Sequence, residues 1–321
     1  FNSQNNKALR VKKKRWTPKG RQINQKILDE INPLFQNINI KRDELIEYLH
    51  MLQDIYGVLY DKHLVALSEI INLSLSEIYE VATFYAHFNI VKNQESFEPI
   101  KVVRVCESLT CELFGAQKIL DELKIQNNNN NIKVVPGPCM GRCDVAPTVC
   151  VGKNYIDNAT LEKVIESIVN KNFEAKIPKY ISYQEYLNKG GYKILKKIEE
   201  KTITNNDIIK SLSDSGLKGK GGAGFPTGRK WELVLANKGD KLIAINGDEG
   251  EPGTFKDKLY LETDPHRFLE GALIALKVMN AKYIYLYLRD EYPVAIEILR
   301  REILKLETNK LIKKNTIILR R

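Results

Sequence analysis

Nowhere in the 321 residues is there an apolar run near the roughly 18 that a membrane-spanning helix needs. The opening stretch FNSQNNKALRVKKKRW has no apolar centre, so it does not read as a secretory signal. Cysteine is scarce, at 5 residues, and without a secretion signal disulfides are not expected. Zinc-finger spacing is absent, and so is an aromatic motif of the RNA-recognition type. The net charge of +10 therefore does not by itself make a nucleic-acid binder. The dense basic run Lys12, Lys13, Lys14 and Arg15 lies in residues 1–20, which have almost nothing apolar to bury and read as a disordered tail. There is no initiating Met, and the last residues, TIILRR, read as a strand leading onward, so both ends are treated as possible truncations. The chain reads as soluble and cytoplasmic, without a nucleic-acid partner and without direct membrane insertion.

What is present is an ordinary globular mixture, 43% hydrophobic and 28% charged, enough for about two domains. Leu45, Leu49 and Leu52 share a helical face that Gly57 is placed to end. Leu64, Leu67 and Ile71 follow Asp61 with the same spacing, and Ser74 with Glu77 forms a capping box for a third helix through Tyr85. Residues 21–95 thus read as a helical bundle. The pattern then changes to β-branched runs at Ile100–Val105, Ile132–Val135 and Thr148–Val151, with helices over Leu113–Ile125 and Ala159–Val169. This predicts a thioredoxin-like α/β unit over 96–172. The Asn127–Asn131 tract reads as a solvated loop. A connector occupies 173–203. From 204 to 321 strands (Lys241–Ile245, Tyr283–Leu288) alternate with helices (Pro265–Met279, Val294–Leu306), the signature of a parallel sheet.

Three patterns carry chemistry. Cys106 and Cys111 are spaced C-x4-C, and Cys139 and Cys143 C-x3-C, both at the carboxyl ends of predicted strands. An iron–sulfur cluster needs four converging thiolates, and short loop spacings deliver them two at a time. A four-cysteine zinc site is the alternative, although neither pair has the C-x2-C knuckle that zinc often uses. Cys150, inside a strand, reads as a core thiol. The run GLKGKGGAGFPTGRKW (216–231) opens a helix but is neither the dinucleotide fingerprint nor a phosphate loop. Its glycines would let backbone amides approach a phosphate or a flat ring, and Phe225, Pro226 and Trp231 argue against a plain linker. The third is NGDEGEPGTFKD (246–257), with carboxylates at Asp248, Glu249 and Glu251. It suits a ligand, a hard cation or a solvated turn.

These loops, with DPHRFLEG (264–271) and YLYLRDEYP (285–293), resemble the flavin- and NADH-binding subunit of respiratory complex I. The upstream half, with VATFYAHF and the four cysteines, resembles its partner [2Fe–2S] subunit. Both on one chain point to the fused forms. GRQIN, LIEYLHMLQDIYG, EIYEVATFYAHFNIVK and NGDEGEPGTFKDKLYLETDPHRFLEG are most similar to the β subunit of NAD-dependent, molybdenum- or tungsten-containing formate dehydrogenase. The resemblance runs from about residue 20 to the end.

The resemblance implies an α/β chain: a helical bundle, a thioredoxin-like [2Fe–2S] ferredoxin domain, and an incomplete Rossmann-like FMN/NADH-binding domain. It implies a [2Fe–2S] cluster on Cys106, Cys111, Cys139 and Cys143. FMN phosphate and ribityl contacts fall on Gly219, Gly221, Gly222 and Lys230, and Lys220 stands where complex I usually has Arg. Asn246 and Asp248 would face the flavin ring with Glu249 beside it, Glu251 would lie near the nicotinamide and Phe225 near the adenine. Glu249 and Glu251 are thereby the candidate catalytic carboxylates. A [4Fe–4S] cluster is expected only in a further C-terminal part. The implied partners are the molybdenum- or tungsten-containing α subunit and a small [2Fe–2S] γ subunit. The alternatives are a diaphorase subunit of NAD-reducing hydrogenase or complex I, and a non-enzymatic zinc or cluster scaffold.

Overall fold

The computed structural model describes residues 22–85, 87–92, 101–126, 132–220 and 222–321. The basic tail, the Asn127–Asn131 tract and Gly221 lie outside these described residues. The chain divides into two compact units, 1–97 and 98–321.

In the first unit four helices form as their apolar spacing requires: α1 (Gln25–Ile31), α2 (Leu45–Tyr56), α3 (Asp61–Ile71) and α4 (Leu75–Phe84). Gly57, at φ 74°, ends α2 in the left-handed conformation that glycine adopts without a Cβ penalty. The Ser74–Glu77 capping box starts α4. The helices bury Ile31, Leu49, Leu52, Leu64, Leu67 and Ile78 against one another. A parallel pair, β1 (Leu59–Tyr60) with β2 (Ile90–Val91), was not expected from the apolar spacing. The Gln53 side chain holds this return segment, donating to the His87 carbonyl at 3.0 Å and accepting from the Asn89 amide at 2.9 Å.

The second unit carries two sheets. The first has the order β4-β3-β5-β6, from β3 (Lys101–Cys106), β4 (Ile132–Gly137), β5 (Val149–Val151) and β6 (Asn154–Ile156). The β3–β4 pair is parallel and the others antiparallel. The helix expected over Leu113–Ile125 is α6 (Ala116–Gln126), and a short helix that was not expected, α5 (Leu109–Leu113), precedes it. Gly115, at φ +90°, makes the break, and the short α5 turns Cys111 into the core. Helix α7 (Leu161–Val169), capped by Thr160, completes this α/β layer.

The second sheet, β7-β8-β9, is wholly parallel: β7 (Ile243–Gly247), β8 (Ile284–Leu288) and β9 (Ile317–Arg320). Its crossovers are α12 (Lys256–Thr263) with α13 (Pro265–Met279), and then α14 (Pro293–Thr308). The segment expected as a connector carries α8 (Tyr183–Asn188) and α9 (Lys193–Glu199), and Tyr192 and Leu195 are buried in the core of this sheet. A buried polar network pins that arm. His266 sits between the Tyr192 hydroxyl (2.8 Å) and Glu302 (2.7 Å), and Glu302 also accepts from Tyr180 (2.7 Å) and Lys305 (2.8 Å). Helices α10 (Asn205–Asp214) and α11 (Thr227–Ala236) flank the glycine-rich loop and pack on α13 through Ile209, Trp231, Val278 and Met279. Among the described residues no helix is long and apolar enough to cross a membrane.

Candidate functional site

The four spaced cysteines converge. Cys106 ends β3, Cys111 lies on α5, and Cys139 and Cys143 flank the turn after β4. Cys106, Cys111 and Cys139 are buried and Cys143 is half-buried, all as free thiols. The Sγ atoms of Cys139 and Cys143 are 3.6 Å apart. Cys106 hydrogen-bonds both Cys111 and Cys139, and Cys111 also feels the charge of Cys139 and Cys143. Its bond with Cys106 and then burial push the Cys139 thiol up to about 12. The bond between them lowers the Cys111 thiol and raises the Cys106 thiol. Four thiols so close cannot all ionise without a compensating cation, so the donor set fits a bound metal group. Cys150 differs: burial pushes it up to about 12, its thiol donates to the Gly152 carbonyl at 3.3 Å, and it belongs to the strand core, as expected.

The acidic loop reaches this thiol cluster. The Gly253 amide donates to Cys143 Sγ at 3.2 Å across 110 residues of chain. Glu249 is buried, and its carboxylate caps the start of α12, accepting from the Asp257 amide (3.0 Å), the Lys258 amide (3.3 Å) and Lys256 Nζ (3.3 Å). Asn246 accepts from the Asp248 amide at 2.9 Å, an Asx turn that fixes the loop's exit from β7. Asn246, Asp248 and Glu251 are exposed. Of the three expected carboxylates, Asp248 and Glu251 thus face solvent, while Glu249 is committed to holding the loop.

The glycine-rich loop is closed at its neck. The Gly219 amide donates to the Phe225 carbonyl (2.9 Å) and the Thr227 amide to the Leu217 carbonyl (2.8 Å). Gly222 and Gly224 hold φ of +109° and +60°, and a Cβ on either would meet nothing within 4 Å. Gly219, Phe225 and Lys230 are exposed beside them. An open rim of backbone at the start of α11 fits a phosphate-bearing ligand. Gly228 is different: a Cβ there would lie 2.1 Å from Ser213 Oγ, so it permits the close contact of α10 and α11.

Two residues to which the sequence motifs assign no role join the cysteine turn to the acidic loop. Arg289, just past β8, is 7% exposed and donates to the carbonyls of Glu249 (2.8 Å) and Cys139 (2.6 Å). Its Nε reaches Glu291 at 3.1 Å. The buried Tyr292 hydroxyl donates to the Glu249 carbonyl at 3.3 Å and fills the space a side chain at Gly141 would need. A lone arginine closing an apolar strand at the carboxyl edge of a parallel sheet is the signal that could have found them, because ligands bind there.

The profile of the "Thioredoxin-like [2Fe-2S] ferredoxin" family matches residues 31–172, and that of the "Nuo51 FMN-binding domain" matches residues 212–318. Residues 31–172 are thus similar to a thioredoxin-like [2Fe–2S] ferredoxin and residues 212–318 to a Nuo51 FMN-binding domain. An NADH-quinone oxidoreductase subunit of Aquifex aeolicus is 41% identical over 143 residues, 44% of this chain and 33% of that protein. The alpha subunit of the NAD-reducing hydrogenase HoxS of Cupriavidus necator is 25% identical over 88% of this chain and 51% of its own length. A crystal structure of NAD+-reducing [NiFe]-hydrogenase in the H2-reduced state superposes with a TM-score of 0.68 at 22% identity, covering 86% of this chain and 51% of that one, a likeness of fold. The chain thus spans a third to a half of the length of these relatives. The thiol cluster lies in the segment matched by the ferredoxin family, and Arg289, Tyr292 and Gly253 lie in the segment matched by the FMN-binding family, so one seam, buried at Arg289, joins the two.

Proposed function

We propose that this chain is an NAD(H)-linked electron-transfer module, and that in its full-length context it serves as the β subunit of an NAD-dependent formate dehydrogenase. The observation that carries the module is the hydrogen bond from the acidic loop to a cluster thiol, Gly253 N–H to Cys143 Sγ at 3.2 Å. It sets the expected flavin-facing loop directly against the cysteine site. Cys106, Cys111, Cys139 and Cys143 would hold the [2Fe–2S] cluster. Gly219, Gly221, Gly222 and Lys230 would bind the FMN phosphate, Asn246 and Asp248 would orient the ring, and Phe225 and Glu251 would meet the dinucleotide. Glu249 acts by shaping the loop. When bound, the flavin supplies hydride exchange with nicotinamide and single-electron exchange with the cluster; the protein supplies orientation.

The formate assignment rests on the motifs of residues 20–92 and 246–271, with the molybdenum- or tungsten-containing α subunit and the [2Fe–2S] γ subunit as partners. The second reading, a diaphorase subunit of NAD-reducing hydrogenase, is favoured by the Cupriavidus necator relative, which aligns along 88% of this chain. The test is anaerobic expression of the chain with assay of iron, zinc, sulfide and FMN, followed by co-purification with each candidate catalytic subunit. About two irons and two sulfides per chain, with capture of the molybdenum subunit, support the proposal. One zinc and no sulfide overturn the module, and capture of only the nickel subunit overturns the formate assignment.

A further inference from the structure

We infer that Arg289 is a positioning residue that also sets the reduction potential of the cysteine site. The inference rests on the proposed reading of that site as iron–sulfur. The guanidinium spans two loops, one N–H on the Cys139 carbonyl at 2.6 Å and another on the Glu249 carbonyl at 2.8 Å. Those residues lie far apart in the chain, and a planar fork is the group that can bond both at once. Arg289 is buried, so its charge acts with less screening than a surface cation.

It is bonded to the backbone of a cysteine ligand, at the same residue that carries the Sγ. A fixed positive charge there favours the form carrying one more electron, because charge and hydrogen bonding around the sulfurs set cluster potentials. Glu291, 3.1 Å from Arg289 Nε, and Asp248, 4.0 Å from it, oppose that field. Removal of the cation leaves both carboxylates uncompensated beside the site, and the potential moves negative. Neutralising Glu291 moves it positive.

The sign pair separates an electrostatic role from a merely structural one. R289K keeps the charge but loses the fork, so a purely structural role makes R289K resemble R289M. The experiment is an EPR-monitored potentiometric titration of the whole chain, reconstituted anaerobically with iron and sulfide, as wild type, R289M, R289K and E291Q. The expected result is a negative shift in R289M, a value near wild type in R289K and a positive shift in E291Q. If R289M fails to hold iron, a value near wild type in R289K together with a positive shift in E291Q decides. Potentials unmoved in every variant that holds iron, or R289K and E291Q shifted in the same direction, overturn the inference and leave the module intact. A wild-type chain without a reducible cluster overturns both.

Discussion

The cysteine site and the glycine-rich loop are built by opposite means. Cys106 and Cys111 are members of the same buried cluster as Val103, Leu120 and Val149, so core packing places them. The glycine-rich loop is held only at its neck, and the space around Gly222 and Gly224 is open. A thiol site assembled inside the core takes its geometry from the packing around it. A phosphate site made from loop backbone depends on turn geometry and on the helix behind it. Arg289 and the Gly253 amide show how the first kind of site borrows from the second domain: its outer wall is made of groups 110 and 150 residues away.

The sharpest break in that comparison is Cys106→Ser. It should abolish the [2Fe–2S] EPR signal and drop bound iron from about two per chain toward zero, while FMN affinity changes little; a variant that still binds two irons would remove Cys106 from the ligand set. Next in size is acid. Burial alone would raise Glu302, but hydrogen bonds from His266, Lys305 and Tyr180 hold it down at about 2. Its folded value lies below the ordinary ~4.3, so its stabilising contribution is complete above about pH 5 and is lost as the pH falls toward 2. Urea midpoints measured between pH 7 and pH 3 should fall for the wild type and fall less for Glu302→Gln, with amide exchange rising first on α13 and α14.

Gly141→Ala acts at the seam itself. The residue has φ +62°, and its Cβ would lie 2.6 Å from the Tyr292 hydroxyl. A cost of ~2–3 kcal/mol is expected, seen as a lowered Tm with reduced iron retention. Gly141→Ala with Tyr292→Phe should recover only part, since the backbone strain remains. Smallest is Gly222→Ala, at φ +109° with nothing near its Cβ, which should cost ~1 kcal/mol by backbone strain alone. Weakened FMN binding, read by fluorescence titration, should exceed that stability loss; unchanged affinity would mean the flavin does not use this rim.

Much of the local structure was readable in residue order. The Leu45–Leu49–Leu52 stripe with Gly57 behind it became α2, the Ser74–Glu77 box began α4, and Pro265–Met279 is a helix with the predicted bounds. Those signals act within one turn or one strand, so no distant contact is needed to interpret them. The two cysteine pairs and the two loops were likewise visible as patterns, and their resemblance to flavin and iron–sulfur subunits supplied the cofactors. Tertiary structure decided the rest. It added the short α5, set off from α6 at Gly115, which turns Cys111 inward. It packed 183–199 as an arm on the second sheet, because Tyr192 and Leu195 are apolar enough to enter a core that the local pattern did not reveal. It made Glu249 the cap of α12, and it placed Arg289 across the seam. A side chain's chemistry is written in the sequence, but its partners are set by which loops two sheets bring together.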